Sequence, residues 1–117
     1  MKDIRARLVQ LPGVNGALLV SDDGLLIAAH SKLGGKEAEE TVSALAGRLG
    51  RSAASAVEKL QLGRLKTVML SGIGGRTMLT RAGSAFLVAL VDSDCNIGLI
   101  QLELGGAANE AARSISL

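Results

Sequence analysis

The pattern of apolar and polar positions is most regular in residues 36–62, where it predicts one long amphipathic helix. Apolar residues recur there at steps of three, one and four, which places them on a single helical face. We expect this apolar face to dock the helix on a sheet. The apolar face consists of Val42, Leu45, Ala46, Leu49, Ala53, Ala56, Val57 and Leu60.

The same helix has a second face made of small residues, which we call the small stripe: Ser43, Gly47, Gly50 and Ala54. It lies roughly 110° around the helix from the apolar face. A glycine inside a helix costs about 1 kcal/mol relative to alanine, so two of them on one face indicate that another backbone approaches closely. The alternative is a solvated face that tolerates small residues. We favour a helix–helix contact, most simply with the same helix of a second copy. The remaining arc holds charged residues: Arg48, Arg51, Glu58 and Lys59.

Around this helix the pattern alternates between strands and tight turns. An Asp-Gly turn at residues 23–24 and glycine-rich turns at 72–75 and 82–84 connect apolar runs, which is typical of β-hairpins. Several runs are apolar on both faces, so the sheet needs helices on both sides. The predicted elements are a first helix at 2–10, strands at 16–21, 25–30, 65–71, 76–81 and 85–91, and the long helix at 36–62.

Residues 97–115 allow two interpretations. Alternation of Ile100, Leu102 and Leu104 with polar residues is typical of a strand, whereas apolar steps of three and four across the whole segment indicate a helix. Asn96 suits the N-cap of that helix. Two consecutive glycines at 105 and 106 weaken the helical interpretation, which we nevertheless favour.

Composition excludes several classes of function. The chain has 117 residues, is 48% hydrophobic and 21% charged, and so predicts a single globular domain over residues 1–117. No apolar run reaches the length of a membrane span. A net charge of +2 and one aromatic residue, Phe86, argue against nucleic acid and against a ring-lined pocket for a small-molecule substrate. The single cysteine, Cys95, fits a reducing, cytoplasmic location.

Each candidate catalytic or ligand-binding residue lacks partner residues at the sequence spacing that its chemistry requires. The glycine-rich run at 72–77 lacks the lysine of a phosphate-binding loop and is followed by a strand, so we interpret it as a hairpin turn. His30 has no second ligand at metal-binding spacing, and Cys95 has no basic neighbour in sequence. The acidic pairs at 22–23 and at 92 and 94 lack the ligand count of a calcium loop. We therefore expect no enzyme, no cofactor and no metal site.

The element order resembles the Roadblock family of dynein light chains and bacterial gliding-type GTPase regulators. The resembling segments are 11–20 (Leu-Pro-Gly-Val-Asn-Gly-Ala-Leu-Leu-Val), 23–28 (Asp-Gly-Leu-Leu-Ile-Ala), the alanine-rich long helix, the strand at 65–71 and the segment at 96–104. The resemblance implies an antiparallel sheet in the order 2-1-5-4-3, with the long helix on one face and two terminal helices on the other. It also settles residues 97–115 as a helix.

The family further implies a homodimer formed by the third strand and the long helix across a two-fold axis. From the resemblance we expect the interface to contain Ser43, Gly47, Gly50, Ala54, Lys66, Val68 and Leu70. Prokaryotic members regulate small Ras-like GTPases through the surface that carries the long helices, without inserting an arginine. The expected partner-binding residues are Arg48, Arg51, Glu58 and Lys59. A scaffold subunit that contacts no GTPase is the alternative, and the scarcity of aromatic residues disfavours a third possibility, a small-ligand sensor.

Overall fold

The computed structural model describes residues 7–115 and contains five strands and two long helices. Residues 7–9 are helical, and the rest of the predicted first helix lies outside the described residues. The strands are β1 (Val14–Ser21), β2 (Leu26–Ser31), β3 (Thr67–Gly72), β4 (Gly75–Ala82) and β5 (Ala85–Val91). The helices are α1 (Lys36–Lys59) and α2 (Ile97–Ile115).

The strands form one antiparallel sheet in the order β2-β1-β5-β4-β3, which confirms the predicted fold class. Three tight hairpins account for the pairs β1–β2, β3–β4 and β4–β5, while β1 and β5 pair across the chain. These two central strands are also the most completely buried. Strands buried on both faces lie at the centre because only there can helices cover both sides.

The core is divided by the sheet into two layers. On one face, Ile100 and Leu104 of α2 pack with Leu8, Met78 and Leu87. On the other face, Ala46 of α1 packs with a cluster formed by Leu18, Val20, Leu79, Phe86 and Val88. The long helix therefore occupies one side of the sheet, and α2 and the residues 7–9 segment occupy the other, as the resemblance implies.

Residues 97–115 are helical, which confirms the favoured interpretation of that segment. The side-chain oxygen of Asn96 accepts a hydrogen bond from the backbone N–H of Leu99 at 3.2 Å, as an N-cap residue does. Burial of Ile100, Leu104 and Ala108 on the sheet stabilises the helix in spite of its two interior glycines.

The edge strand β2 is less buried than its apolar sequence predicts. Leu25 and Ile27 are exposed, although the pattern predicted apolar cover on both faces of this strand. Ile27 is left without a partner in β1, because Leu19 pairs with Ala28 and Val20 with Leu26. The bulge turns Ile27 out of the regular ladder, and bulges of this kind are common at sheet edges.

Candidate interaction surface

The small stripe of α1 packs inside its own protomer. A Cβ atom on Gly47 would lie 2.5 Å from the Cα of Gly24, and one on Gly50 would lie 2.6 Å from the Phe86 ring. Ser43 is fully buried, and its hydroxyl donates a hydrogen bond to the carbonyl oxygen of Glu39 at 2.9 Å. The assignment of Ser43, Gly47 and Gly50 to contact with a second copy is therefore wrong. The backbone that approaches them belongs to the β1–β2 turn and the aromatic ring to β5.

The apolar face of α1 therefore points only partly toward the sheet. Val42 and Leu49 are half-buried against the core. Leu45 and Leu60, in contrast, are 57% and 67% exposed, so the expectation that the whole face docks on the sheet is wrong for them. Because the small stripe sets which side of the helix meets the sheet, Leu60, roughly 110° around the helix from it, and Leu45, roughly 170° around, remain in solvent.

The edge strand β3 also has exposed apolar side chains. Met69 is 37% exposed and Leu70 is 52% exposed, while Val68 is half-buried against the core. No charged residue occurs within β3, although the exposed Lys66 precedes it directly. An apolar edge strand without charges or a proline is a site of association with another chain.

The hydrogen-bonding direction of β3 follows from its pairing with β4. The backbone N–H of Arg81 donates to the carbonyl oxygen of Lys66 at 2.8 Å. Along an antiparallel strand, successive residues direct their backbone N–H and C=O groups alternately toward one neighbouring strand and away from it. Lys66, Val68 and Leu70 therefore direct these groups toward β4. The backbone N–H and C=O groups of Thr67, Met69 and Ser71 therefore point to the open edge.

The charged residues that we expect to bind a partner are all exposed on α1: Arg48, Arg51, Glu58 and Lys59. One of them has a structural contact, because the guanidinium of Arg51 donates to the backbone carbonyl of Asp22 at 2.9 Å. The side chains of the other three form no hydrogen bond or ion pair with residues 7–115. They are therefore available to an incoming protein.

A cleft of about 1170 Å³ lies between the C-terminal half of α1 and the turns of the β1–β2 and β4–β5 hairpins. Half-buried Ala54, the fourth member of the small stripe, lines this cleft. At the edge of the cleft Arg81 forms an ion pair with Asp22, and its guanidinium lies 4.8 Å from the centroid of the Phe86 ring. These contacts tie β4 to the β1–β2 turn and are structural.

Within that turn Asp23 has a perturbed carboxyl group. The Ser21 hydroxyl donates a hydrogen bond to Asp23 Oδ1 at 2.5 Å. This hydrogen bond is the main reason why the pKa of Asp23 lies below its ordinary value, with smaller contributions from its own backbone N–H and from the charge of Arg51. The shift reflects turn geometry, since Asp23 itself is exposed to solvent.

The remaining candidates show ordinary structural settings. The glycine-rich run at 72–77 forms the β3–β4 hairpin, as predicted. His30 is exposed on β2, and Cys95 is a half-buried free thiol beside Gly13. Asp92 accepts a hydrogen bond from the Asn15 amide at 2.6 Å. Residues 7–115 contain no cluster of three or more His, Cys, Asp or Glu side chains that could hold a metal ion.

Neither long helix within the described part of the chain has the length and apolar character needed to cross a membrane. Large apolar side chains of both α1 and β3 are thus exposed among the described residues, as are some on β2, α2 and the loops. We call the side chains of the first two elements together the α1–β3 surface and define it by Leu45, Leu60, Val68, Met69 and Leu70. Val68 and Leu70 were expected from the sequence to be contact residues, whereas the exposure of Leu45, Leu60 and Met69 was not. The signal was present in the apolar face of α1, which is wider than docking on a sheet requires.

Comparisons with known proteins agree with this architecture. The family model of the Roadblock/LC7 domain matches residues 2–91. Two uncharacterized proteins of Methanocaldococcus jannaschii are each 35% identical over 98 residues, which cover 84% of this chain and 84% of theirs.

Solved structures show the same fold at lower identity. The Roadblock/LC7 domain from Streptomyces avermitilis superimposes with a TM-score of 0.93 at 20% identity, covering 100% of this chain and 98% of that one. Myxococcus xanthus MglB gives a TM-score of 0.87 at 18% identity, covering 99% and 97%. The gliding protein MglB from Thermus thermophilus gives 0.84 at 20% identity, covering 96% and 85%. With the family model matching most of the sequence, the chain belongs to the Roadblock/LC7 domain family.

Proposed function

We propose that this chain is a homodimeric, non-enzymatic regulatory module that binds a small Ras-like GTPase in the cytoplasm. Membership of the Roadblock/LC7 family supports a regulatory role, and the likeness in fold to MglB agrees with the bacterial gliding-type regulators that the sequence resembles. The half-buried free Cys95 suits a reducing compartment.

The observation that carries the homodimer is the α1–β3 surface. It combines the open edge of β3 with large exposed apolar side chains of α1. A two-fold axis beside β3 would join the two edges into one continuous sheet, and both copies would bury the same side chains. Of the interface residues expected from the sequence, Lys66, Val68 and Leu70 remain in this proposal. Wild-type protein that sediments as a monomer at micromolar concentration would contradict it.

We propose that the GTPase binds the charged face of α1, formed by Arg48, Arg51, Glu58 and Lys59. Mixed charge on such a face influences the encounter rate and the choice of partner more than the affinity itself. The module would not supply a catalytic arginine. Any acceleration of hydrolysis would come from repositioning groups that belong to the GTPase.

The test is titration calorimetry of the dimer against the cognate GTPase, loaded with GDP or with a non-hydrolysable GTP analogue. The double variant Arg48→Glu/Arg51→Glu should weaken binding and leave the dimer intact. Arg113→Glu is the matched control, because Arg113 is also an exposed helical arginine but lies on the opposite layer. Unchanged affinity in the double variant would remove this face from the interface. Equal affinity for both nucleotide states would show that the module binds the GTPase without distinguishing its GTP-bound form from its GDP-bound form.

A scaffold role without GTPase contact is the second candidate, and one observation favours it. Leu102 on α2 is 73% exposed and Leu99 beside it is partly exposed, so the layer opposite α1 also offers apolar contact area. Affinity capture with Leu102→Glu separates the two functions. A scaffold would lose its partners with this variant and keep them with the α1 double variant, whereas a GTPase regulator would show the reverse.

A further inference from the structure

The open edge of β3 has a hydrogen-bonding pattern that restricts how a second copy can pair with it. Thr67, Met69 and Ser71 direct their backbone groups outward, whereas Val68 and Leu70 direct theirs toward β4. In an antiparallel ladder an outward residue must face an outward residue of the partner. A two-fold axis can therefore pass through Val68, Met69 or Leu70, and no axis lies between adjacent residues.

Resting on the proposed homodimer, we infer that two copies pair their β3 strands in the register that places Met69 on the two-fold axis. In this register the two Met69 residues face each other, and Thr67 faces Ser71 of the second copy on both sides. All three outward residues of β3 thus find hydrogen-bonding partners within the opposite strand. With Val68 on the axis, Ser71 would face Leu65, which precedes the strand. With Leu70 on the axis, Thr67 would face Ile73, which lies in the hairpin turn.

Side-chain pairing on the α1 side of the sheet favours the same register. Val68 and Leu70 lie on that side, since their partners in β4 include Leu79 of the α1 core. With Met69 on the axis, Val68 faces Leu70 of the second copy twice, which pairs apolar side chains only. With Val68 on the axis, Leu70 would instead face the charged Lys66. With Leu70 on the axis, Val68 would face Gly72 and find no side chain.

Distances between paired residues make the register testable by disulfide formation. Opposite residues in an antiparallel pair have Cα atoms about 5.5 Å apart if hydrogen-bonded and about 4.5 Å apart if not. Diagonal neighbours lie about 7–8 Å apart, whereas a disulfide requires about 4.4–6.8 Å. Only the residue on the axis can therefore form a disulfide with its own copy.

The experiment places single cysteines in a Cys95→Ser background and oxidises the folded protein with diamide before a non-reducing gel. Met69→Cys should convert to a covalent dimer, and Val68→Cys and Leu70→Cys should each stay uncrosslinked. Mixing Val68→Cys with Leu70→Cys after subunit exchange should restore a covalent dimer, identified by mass spectrometry. Ile73→Cys, at the exposed tip of the hairpin, measures cross-linking by random collision.

The outcomes distinguish a wrong register from a wrong proposal of the homodimer. Self-cross-linking at Val68→Cys or Leu70→Cys in preference to Met69→Cys would overturn the register and retain a β3-paired dimer. No cross-link above the Ile73→Cys background, in protein that sediments as a dimer, would overturn pairing through β3. Protein that sediments as a monomer would overturn the homodimer itself, and the register with it.

Discussion

Replacing Gly47 by alanine is the sharpest test of how α1 docks. The new Cβ would lie 2.5 Å from the Cα and 2.7 Å from the N of Gly24. Carbon atoms in favourable contact are about 3.5–4.0 Å apart, so the helix and the β1–β2 turn must separate by roughly 1 Å. Both neighbours are backbone atoms, which cannot rotate away as a flexible side chain could. Overpacking of this kind costs about 1–3 kcal/mol.

Gly106→Ala is the matched control for this change. Gly106 also lies inside a helix, but a Cβ atom there would meet nothing within 4 Å. Both substitutions gain about 1 kcal/mol of helix propensity, so this contribution cancels in the comparison. Gly106→Ala should therefore stabilise the protein, and Gly47→Ala should be less stable than Gly106→Ala by about 1–3 kcal/mol.

The measurement is urea unfolding followed by circular dichroism, at one protein concentration because dimerisation contributes to stability. Repeating it at a tenfold lower concentration shows whether the difference between the variants belongs to the protomer. Equal stability of the two variants, within about 0.5 kcal/mol, would refute the close approach of α1 to the turn.

Three further outcomes follow from individual contacts. Arg81→Leu should lose about 1 kcal/mol of stability in thermal unfolding, because it removes a partly exposed ion pair and a cation–π contact; an unchanged melting temperature would show both contacts to be negligible. Ser21→Ala should raise the pKa of Asp23 toward its ordinary value, measured by NMR titration. A carboxyl group whose pKa is lowered in the folded protein contributes stability at pH values above the ordinary pKa of Asp. This contribution is lost as the pH falls through the pKa of Asp23 in the folded protein. Wild-type stability should thus fall more steeply than that of Ser21→Ala on acidification through that range, and parallel curves would contradict this. Leu45→Lys should shift sedimentation toward the monomer without unfolding the protein, whereas Leu102→Lys, on the other layer, should not; equal shifts would remove Leu45 from the interface.

The strands and hairpins were predictable because their information is local, whereas the order of the sheet, with β1 beside β5, came from the family resemblance. Tight turns at Asp23–Gly24 and at residues 82–84 set the hairpins, and their alternation with apolar runs placed β5 at its observed bounds. Residues 97–115 were harder, since periods of two and of 3.6 both fit the first part of the segment. The helix prevails because its longer apolar series includes Ala108 and Ala111, which are buried on the sheet.

The orientation of α1 was not predictable from its own sequence. Hydrophobic periodicity assigns the most apolar face to the core, whereas α1 docks through its smallest residues. Position 47 has no room for a side chain because the backbone of Gly24, more than twenty positions earlier, lies against it. Position 50 has none because the ring of Phe86 in the last strand lies against it. Such contacts between distant segments leave no local signal. Because Leu45 is exposed and Gly50 packs against Phe86, we expect Leu45→Ala to affect association and Gly50→Leu to affect the stability of the protomer.

The exposed apolar side chains also indicate what the α1–β3 surface can contribute on its own. Leu45, Leu60, Met69 and Leu70 are each roughly half exposed, and full burial of such a side chain is worth about 1.5–3 kcal/mol. In a two-fold dimer each is buried twice, which gives about 6–12 kcal/mol in total. Association of two proteins costs about 4–15 kcal/mol in lost freedom of motion. Apolar burial and this cost are therefore of similar size, so the strand edge decides the balance. A register that satisfies all three outward residues of β3 favours the dimer, whereas a register that leaves one of them facing a turn does not.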